Sequence, residues 1–364
     1  MVFTTSEDDS CYTSGTSTEG KLASDSEQEG TTPIMEDNVS DGMQSIRMSL
    51  QKHGLSPATV NIMLQSWRSG TKKQYSTYAR KGDQFCSQVK RDPFQANIKT
   101  VLDFMTSLFE SGLGYSALNT ARSALSAICV TRNSVTIGTH PLVVRFMRGV
   151  FNMRPTLPRY KEIWDVSKVL VYLKSLPPVK ELTLKMLTLK LVMLIALVTA
   201  ARGQSLHLLD IRYLDRGATS DKFVIHELVK QSRPGYSPPV IHLKQYPPDR
   251  RLCVCTALTE YLLRSKDIRE TVTQLFISYR KPHKAVARST ISRWIRDVMV
   301  RAGIDINRFK PHSVRVAAVS KAKLGFVPID HIMATAGWSS TCTFSKFYDK
   351  PIVENNVFAS AVLT

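Results

Sequence analysis

"FKPHSVRVAAVSKAKLG", residues 309–325, is the stretch on which the reading of this chain turns. Small and apolar residues (Val316, Ala317, Ala318, Val319) make it a helix destined for burial, and His312 and Arg315 stand at its head, at i and i+3 on one face. A basic pair at the head of a buried helix admits two readings. One is a histidine capping a helix start beside a surface arginine. The other is the working edge of an anion site, because arginine offers a two-pronged fork to phosphate oxygens and histidine can donate to the same phosphate or exchange a proton near neutral pH. The pair alone leaves both open.

Outward from this helix the pattern stays mostly helical. Periodicity predicts helices over about 166–176, 180–201, 254–267, 289–302, 312–324 and 328–335. The most apolar run, residues 191–201, is bounded by Lys190 and Arg202 and is too short to span a bilayer, so it reads as a core helix. One interruption stands out. "KFVIHELVK", "QSRPGYSPP" and "VIHLK" form two period-2 runs around a Pro/Gly turn, hence a hairpin whose first strand ends at Lys230, and "QLFIS" (residues 274–278) adds a third strand. "MRPTLPRYKEIWD", residues 153–165, reads as a linker.

Ahead of the linker, residues 43–155 are helical throughout. Ser56 and Pro57 look like an N-cap and first helical residue, Thr71 opens a helix carrying Tyr75, Tyr78, Ala79, Phe85 and Cys86 at helical spacing, and Thr100 caps a helix closed by Gly112 and Gly114. Further helices cover about 116–129 and 142–151. Lys72, Lys73, Arg80 and Lys81 crowd the polar positions of the Thr71 helix and are the candidate DNA-binding residues of a compact clamp. Residues 1–42 carry ten acids against the single base Lys21 and almost no large apolar side chains, a composition expected to remain a disordered acidic tail. The remainder holds 48 bases and 20 acids, a net charge of +28 within the overall +19, which points first to nucleic acid and less strongly to an anionic membrane surface.

Several function classes lose support. The six cysteines (Cys11, Cys86, Cys129, Cys253, Cys255, Cys342) show no CxxC pair, and the lone CxC at 253–255 lacks a second half, so reduced thiols in an intracellular protein are expected rather than a zinc site. No secretory signal is visible. There is no GxSxG elbow, HExxH, P-loop or Rossmann fingerprint, and scattered carboxylates give a two-metal nuclease little support. Arginines, a lysine, histidines and a tyrosine remain for phosphate chemistry. Arg202, at the end of the apolar run, needs an anionic partner, whether Asp210, Glu181 or a ligand. Lys230 at the hairpin turn can be a solvated lysine or reach over a neighbouring surface. In "TAGWSSTCTFSKFYDKP", residues 335–351, Trp338, Phe344, Phe347 and Tyr348 can be core aromatics or part of a site.

Taken in order, an arginine, a hairpin lysine, His-x-x-Arg, Gly-Trp and, ten residues after the tryptophan, a tyrosine resemble the active-site signature of the tyrosine recombinases (phage-integrase-like). Residues 56–352 share the resemblance. The detail of "HPLVVRFMRGVFNMRPTLPRY", "ARGQSLHLL", "KQSRPG" and "GWSSTCTFSKFYDKP" is most similar to recombinases of eukaryotic mobile elements, notably DIRS-type retrotransposons. The resemblance implies a mainly α fold: an N-terminal all-helical (SAM-like) core-binding domain over 43–155, a mixed α+β catalytic domain with a small antiparallel sheet over 156–354, and a short tail over 355–364 like the segment relatives exchange between subunits. It implies Tyr348 as the nucleophile that forms a 3′-phosphotyrosine, Arg202 and Arg315 as a clamp on the non-bridging oxygens, His312 assisting proton transfer, Lys230 protonating the leaving 5′-oxygen, and Trp338 donating its indole N–H. It further implies double-stranded DNA as substrate, a homo-tetramer on two DNA sites, a nuclear location, and no metal, ATP, other cofactor, small-molecule ligand or membrane.

Three departures accompany it. Ser205 stands where most relatives carry a carboxylate, three residues after the first arginine. The Trp338–Tyr348 spacing is one longer than in the phage enzymes, and Phe347 holds the strictly spaced position. The competing readings are a non-catalytic DNA-binding protein derived from a mobile element, which has no need of Tyr348, and a type IB topoisomerase, against which the helical 43–155 segment and the lack of a long coiled linker speak.

Overall fold

The computed structural model of the chain describes residues 43–352 other than 96, 129–135, 230, 231, 233, 236, 339, 340, 342, 343, 346 and 347. The acidic segment 1–42, Lys230, Phe347, Cys11, Cys129, Cys342 and the tail 355–364 lie outside the described residues. The chain divides after Leu157 into two compact units.

The first unit is all helical: α1 (Met43–Lys52), α2 (Pro57–Leu64), α3 (Ser69–Gln88), α4 (Ile98–Glu110), α5 (Tyr115–Ile128) and α6 (Pro141–Met153). Ser56 caps α2 as its sequence suggests, its hydroxyl accepting from Thr59 N–H at 3.2 Å. The cap of α4 is not Thr100 but Asn97, whose carbonyl oxygen accepts from the Thr100 N–H and hydroxyl at 2.9 and 3.0 Å. Asn three residues upstream reaches the free N–H groups of the first turn, so the helix starts earlier than its apolar pattern. α3 lies closely against α5 because Gly82 has no side chain; a Cβ there would meet Leu125 Cδ2 at 3.3 Å. Ile46, Ala79, Met105, Leu118, Ala121, Ala124 and Val143 form the buried centre.

The second unit is built around α8 (Leu184–Thr199), capped by Thr183 and apolar on every side. A helix without a polar face has to be covered all round, and α10 (Val254–Ser265), α11 (Arg288–Arg301) and α12 (Ser313–Leu324) pack against it. Even Lys190, 1% exposed, turns its ammonium inward to donate to Leu173 O at 2.9 Å; burial lowers its pKa. α7 (Val166–Ser175), the short α9 (Gly203–His207) and α13 (Ile329–Ala336) complete the helices.

A three-stranded antiparallel sheet, order β1-β2-β3, consists of β1 (Leu214–Arg216), β2 (Ser220–Val224) and β3 (Val240–Lys244). Phe223 pairs with Ile241, and Phe223, Ile241 and Leu243 face the core. The hairpin is therefore present, but its first strand ends at Val224, not Lys230. Ile225 N–H still bonds Pro239 O at 2.9 Å, yet Pro238 and Pro239 have no N–H to return and the ladder stops. Nor is "QLFIS" the third strand. Leu275, Phe276 and Ile277 are buried, and the segment makes only isolated bridges, Asp210 to Gln274 and Ile277 to Ala285. The third strand is "LDR" at 214–216, too short and polar to announce itself.

The expected linker is also corrected. Tyr160, Ile163 and Trp164 are buried in the core of the second unit, and Ile163 N–H bonds Pro351 O at 2.8 Å. Three large apolar side chains outweigh the Pro/Arg character that suggested a loose connector.

Candidate active site

Arg315 lies one turn into α12 and is 6% exposed, so it is no surface arginine. Its guanidinium donates through Nη1 to Ala200 O and through Nη2 to Ala336 O, the latter at 2.6 Å. These carbonyls mark two helix ends: Ala200, at φ 45°, terminates α8, and Gly337, at φ 64°, terminates α13. A residue in the left-handed conformation turns the last carbonyls of a helix free of their ladder, and Arg315 collects one from each end. Its guanidinium carbon lies 4.4 Å from the Trp338 ring centre and 5.5 Å from that of Tyr348. Nε–H is buried and has no partner among the described residues.

The electrostatics follow from this setting. Burial first, and then the like charge of Arg202, pull the Arg315 pKa down to about 9, against the opposing pull of Tyr348, which also hydrogen-bonds it. The guanidinium still carries its charge at neutral pH, with no ion pair among the described residues. A buried cation held by carbonyls, ring faces and a tyrosine hydroxyl, with no carboxylate beside it among the described residues, favours an added anion.

Trp338 supplies a second unsatisfied donor. Its indole Nε1–H is buried and has no partner among the described residues, and the residue is 9% exposed. Its ring stands 4.2 Å from Tyr348 and 5.8 Å from Phe344, a buried member of the small cluster with Val319, Ile332 and Ala336. Tyr348 is half-buried and held by its backbone. Its N–H bonds Phe344 O at 2.8 Å, and the buried Ser320 hydroxyl of α12 donates to its carbonyl at 3.1 Å. Lys323 pairs with Asp349 at 2.5 Å. The helix that presents Arg315 thus also fixes the segment bearing Tyr348.

Arg202 is half-buried at the start of α9 and, with Ser205 and Arg315, lines a cleft of about 1170 Å³. Of the two carboxylates the sequence offered it, Asp210 is engaged by Arg212 at 2.8 Å and by the Thr273 hydroxyl at 2.9 Å. His312 is exposed and its side chain caps nothing, so the capped-helix alternative does not describe this structure. Its Nε2 lies 3.4 Å from the Tyr160 hydroxyl and its ring 5.7 Å from the Tyr160 ring. The fold therefore gathers Arg315, Trp338 and Tyr348 in one cluster and sets Arg202 on the same cleft, with His312 at the open end of α12. Among the described residues no group of three His, Cys, Asp or Glu side chains could hold a metal ion, and no helix is long and apolar enough to cross a membrane.

In the first unit, Lys73, Arg80 and Lys81 are exposed on α3, and Lys72, half-buried, donates to Gln65 at 2.8 Å. Lys81 lies 5.9 Å from the Tyr78 ring centre.

Two contributors were missed by sequence reasoning. Tyr160 and Trp164 come from the supposed linker and grip the head of α12 more than 140 residues away, Trp164 Nε1–H donating to Ser313 Oγ at 2.8 Å. The only signal was the spacing of Tyr160, Ile163 and Trp164, aromatic and aliphatic residues too large for a solvated connector.

No family model and no curated protein matches the chain. Solved structures do resemble it. The XerH site-specific recombinase bound to palindromic difH substrate, a post-cleavage complex, superposes with a TM-score of 0.56 at 13% identity over 84% of both chains. The Tn1549 transposon integrase in complex with transposon right end DNA gives 0.53 at 13% identity, over 89% of this chain and 98% of the other. A lambda integrase dimer bound to a COC′ core site gives 0.51 at 15% identity, over 87% and 98%. These likenesses show that the mainly helical chain with its small antiparallel sheet has the tyrosine-recombinase fold.

Proposed function

We propose that the chain is a site-specific DNA recombinase that cuts and rejoins strands through a 3′-phosphotyrosyl intermediate. The observation that carries this reading is the buried Arg315 cation beside the Tyr348 ring, with two buried N–H donors, Arg315 Nε and Trp338 Nε1, that meet no acceptor among the described residues. A phosphodiester would satisfy both donors and the charge.

Tyr348 Oη attacks the phosphorus while the bond to the 5′-oxygen breaks. The 3′ end stays on the protein and the released 5′-oxygen takes up a proton. Arg315, Arg202 and the Trp338 indole hold the non-bridging oxygens, where charge accumulates in the transition state. The cations also favour ionisation of a phenol whose ordinary pKa is near 10. His312 either donates to the same phosphate or assists departure of the Tyr348 proton, and Lys230 protonates the leaving oxygen. Because the phosphotyrosyl bond stores the energy of the broken linkage, a second 5′-hydroxyl can reverse the step without ATP. The same reading makes double-stranded DNA the partner of the exposed α3 cations Lys73, Arg80 and Lys81 and of Lys72. It makes the working assembly a homo-tetramer on two DNA sites, the element a eukaryotic mobile one of DIRS type, and the location nuclear.

The test is covalent capture. The full chain is incubated with nicked duplexes carrying the terminal repeats that flank its coding region, and with a randomised nicked pool, then resolved under denaturing conditions. A protein–DNA adduct is expected whose phosphopeptide contains Tyr348 and which Tyr348→Phe abolishes. Binding without any adduct would make the chain a DNA-binding protein only, and an adduct that survives Tyr348→Phe would move the nucleophile elsewhere.

A further inference from the structure

We infer that Ser320 is a positioning residue for Tyr348: its hydroxyl, on the same helix as Arg315, pins the backbone of the nucleophile and so fixes the phenol against the guanidinium. The inference rests on the reading of Tyr348 as the nucleophile and says what holds it in place.

Ser320 is 2% exposed and stands five residues beyond Arg315 on α12, about 7.5 Å along the helix axis. A buried hydroxyl has to find partners, and a serine inside a helix commonly turns back to its own preceding turn. Ser87 on α3 and Ser123 and Ser126 on α5 do so, each donating to the carbonyl four residues before it. Ser320 behaves differently. Its hydroxyl donates to Tyr348 O at 3.1 Å and accepts from Lys350 N–H at 3.4 Å, so both of its roles go to the segment that bears the nucleophile.

The cause lies in the chain around the tyrosine. Tyr348 N–H and Asp349 N–H both turn back to Phe344 O, at 2.8 and 3.0 Å, which closes the turn. The Tyr348 carbonyl cannot be met three residues on, because Pro351 has no N–H. The Ser320 hydroxyl supplies a donor from another element, and the backbone of the nucleophile is thereby referred to α12. Lys323 and Asp349 add a second tie at 2.5 Å, but the lysine is exposed and an ion pair in contact with water holds weakly. The buried hydroxyl is the stronger hold.

The phenol itself is flanked by the Arg315 guanidinium carbon, 5.5 Å from its ring centre, and by the Trp338 ring at 4.2 Å. Ring faces allow sliding, whereas a hydrogen bond to the residue's own carbonyl fixes its place along α12. Arg315 and Ser320 share one rigid helix, so a shift of that helix carries the phosphate clamp and the nucleophile together. An attack in line with the departing 5′-oxygen depends on that relation being kept.

The test uses the full chain labelled with 3-fluorotyrosine and read by fluorine-19 NMR, with Tyr348→Phe assigning the resonance. Ser320→Ala should shift and broaden the Tyr348 resonance and leave the other tyrosines in place. Ser313→Ala is the matched control, the same change in the same helix at a fully buried hydroxyl that accepts from Trp164 Nε1–H at 2.8 Å. It should leave the Tyr348 resonance where it is. In the covalent-capture assay at saturating duplex, Ser320→Ala should form adduct about ten- to a hundredfold more slowly, the scale of an ångström of misplacement. The duplex concentration for half-saturation should stay within about twofold of the parent's, since the lost hold acts on the reaction and not on binding. A Tyr348 resonance untouched by Ser320→Ala, tyrosine resonances that all move together, or a rate loss matched by an equal loss of DNA binding overturns the inference. So does an adduct rate equal to the parent's. The NMR measurement needs no cleavage: a parent chain that forms no adduct defeats the recombinase reading, and the Tyr348 resonance still decides whether Ser320 holds that residue.

Discussion

Two arginines of the second unit are buried to the same depth and live differently. Arg269, in the turn after α10, is 5% exposed. Its guanidinium donates to Gln274 O at 2.9 Å and Ser265 Oγ at 2.6 Å, with longer approaches to Val272 O and Leu275 O at 3.4 Å. The donors converge on one loop and the residue is used up in closing it. Arg315, at the head of α12, takes one carbonyl from each of two helix ends, lies against two aromatic rings and keeps Nε without a partner. Burial lowers the pKa of both, but only Arg315 also feels a second arginine. Depth therefore does not distinguish the two arginines. What sets Arg315 apart is unspent hydrogen-bonding capacity beside a second cation and a tyrosine hydroxyl, which is what the proposed function asks of it.

The sharpest way to break this comparison is Arg315→Lys, which keeps the charge and discards the fork. Adduct formation should fall about a thousandfold, the scale of losing a preorganised donor to a developing oxyanion. A lysine enzyme within threefold of the parent would show that charge alone suffices. Arg269→Met should do the reverse: unfolding stability should drop by about 2–3 kcal/mol as several buried carbonyls lose their donor, while the folded fraction forms adduct at the parent rate. A rate loss as large as that of Arg315→Lys would erase the distinction between the two sites.

The first unit supplies the smallest effect and a contrast of another kind, since its cations are exposed. Replacing Lys73, Arg80 and Lys81 by Ala one at a time should weaken duplex binding modestly. Each replacement should also flatten the salt dependence by about one counterion for every phosphate that the variant no longer neutralises. Adduct formation at saturating DNA should be unchanged. A salt slope that stays the same in all three variants would remove α3 from the DNA surface.

Much of the fold was legible because its signals are local. The Ser56 cap of α2 and the helical periods of α7, α10 and α13 depend on neighbours in sequence, and an all-apolar α8 could only be a central helix. The errors came where a signal was non-local or cancelled. "QLFIS" is strand-like because it is buried, but burial alone does not say whether a sheet is beside it. "LDR" pairs with β2 despite a composition that promises nothing. Residues 153–165 looked like a connector because Arg154, Pro155, Pro158 and Arg159 stand at their head, although Tyr160, Ile163 and Trp164 sit in the core.

The sequence by itself determined that a strongly basic, mainly helical body carries Arg202, His312, Arg315, Trp338 and Tyr348 in a telling order, because charge, helical period and residue order are properties of the chain. Only the tertiary structure decided which of these meet and what each has left to give. It buried Arg315 and exposed His312 three residues away, spent Asp210 on Arg212, left Trp338 Nε1 without an acceptor and brought Tyr160 to His312 across 152 positions. Desolvation and unmet hydrogen bonds are set by atoms distant in sequence, so no local pattern could have announced them.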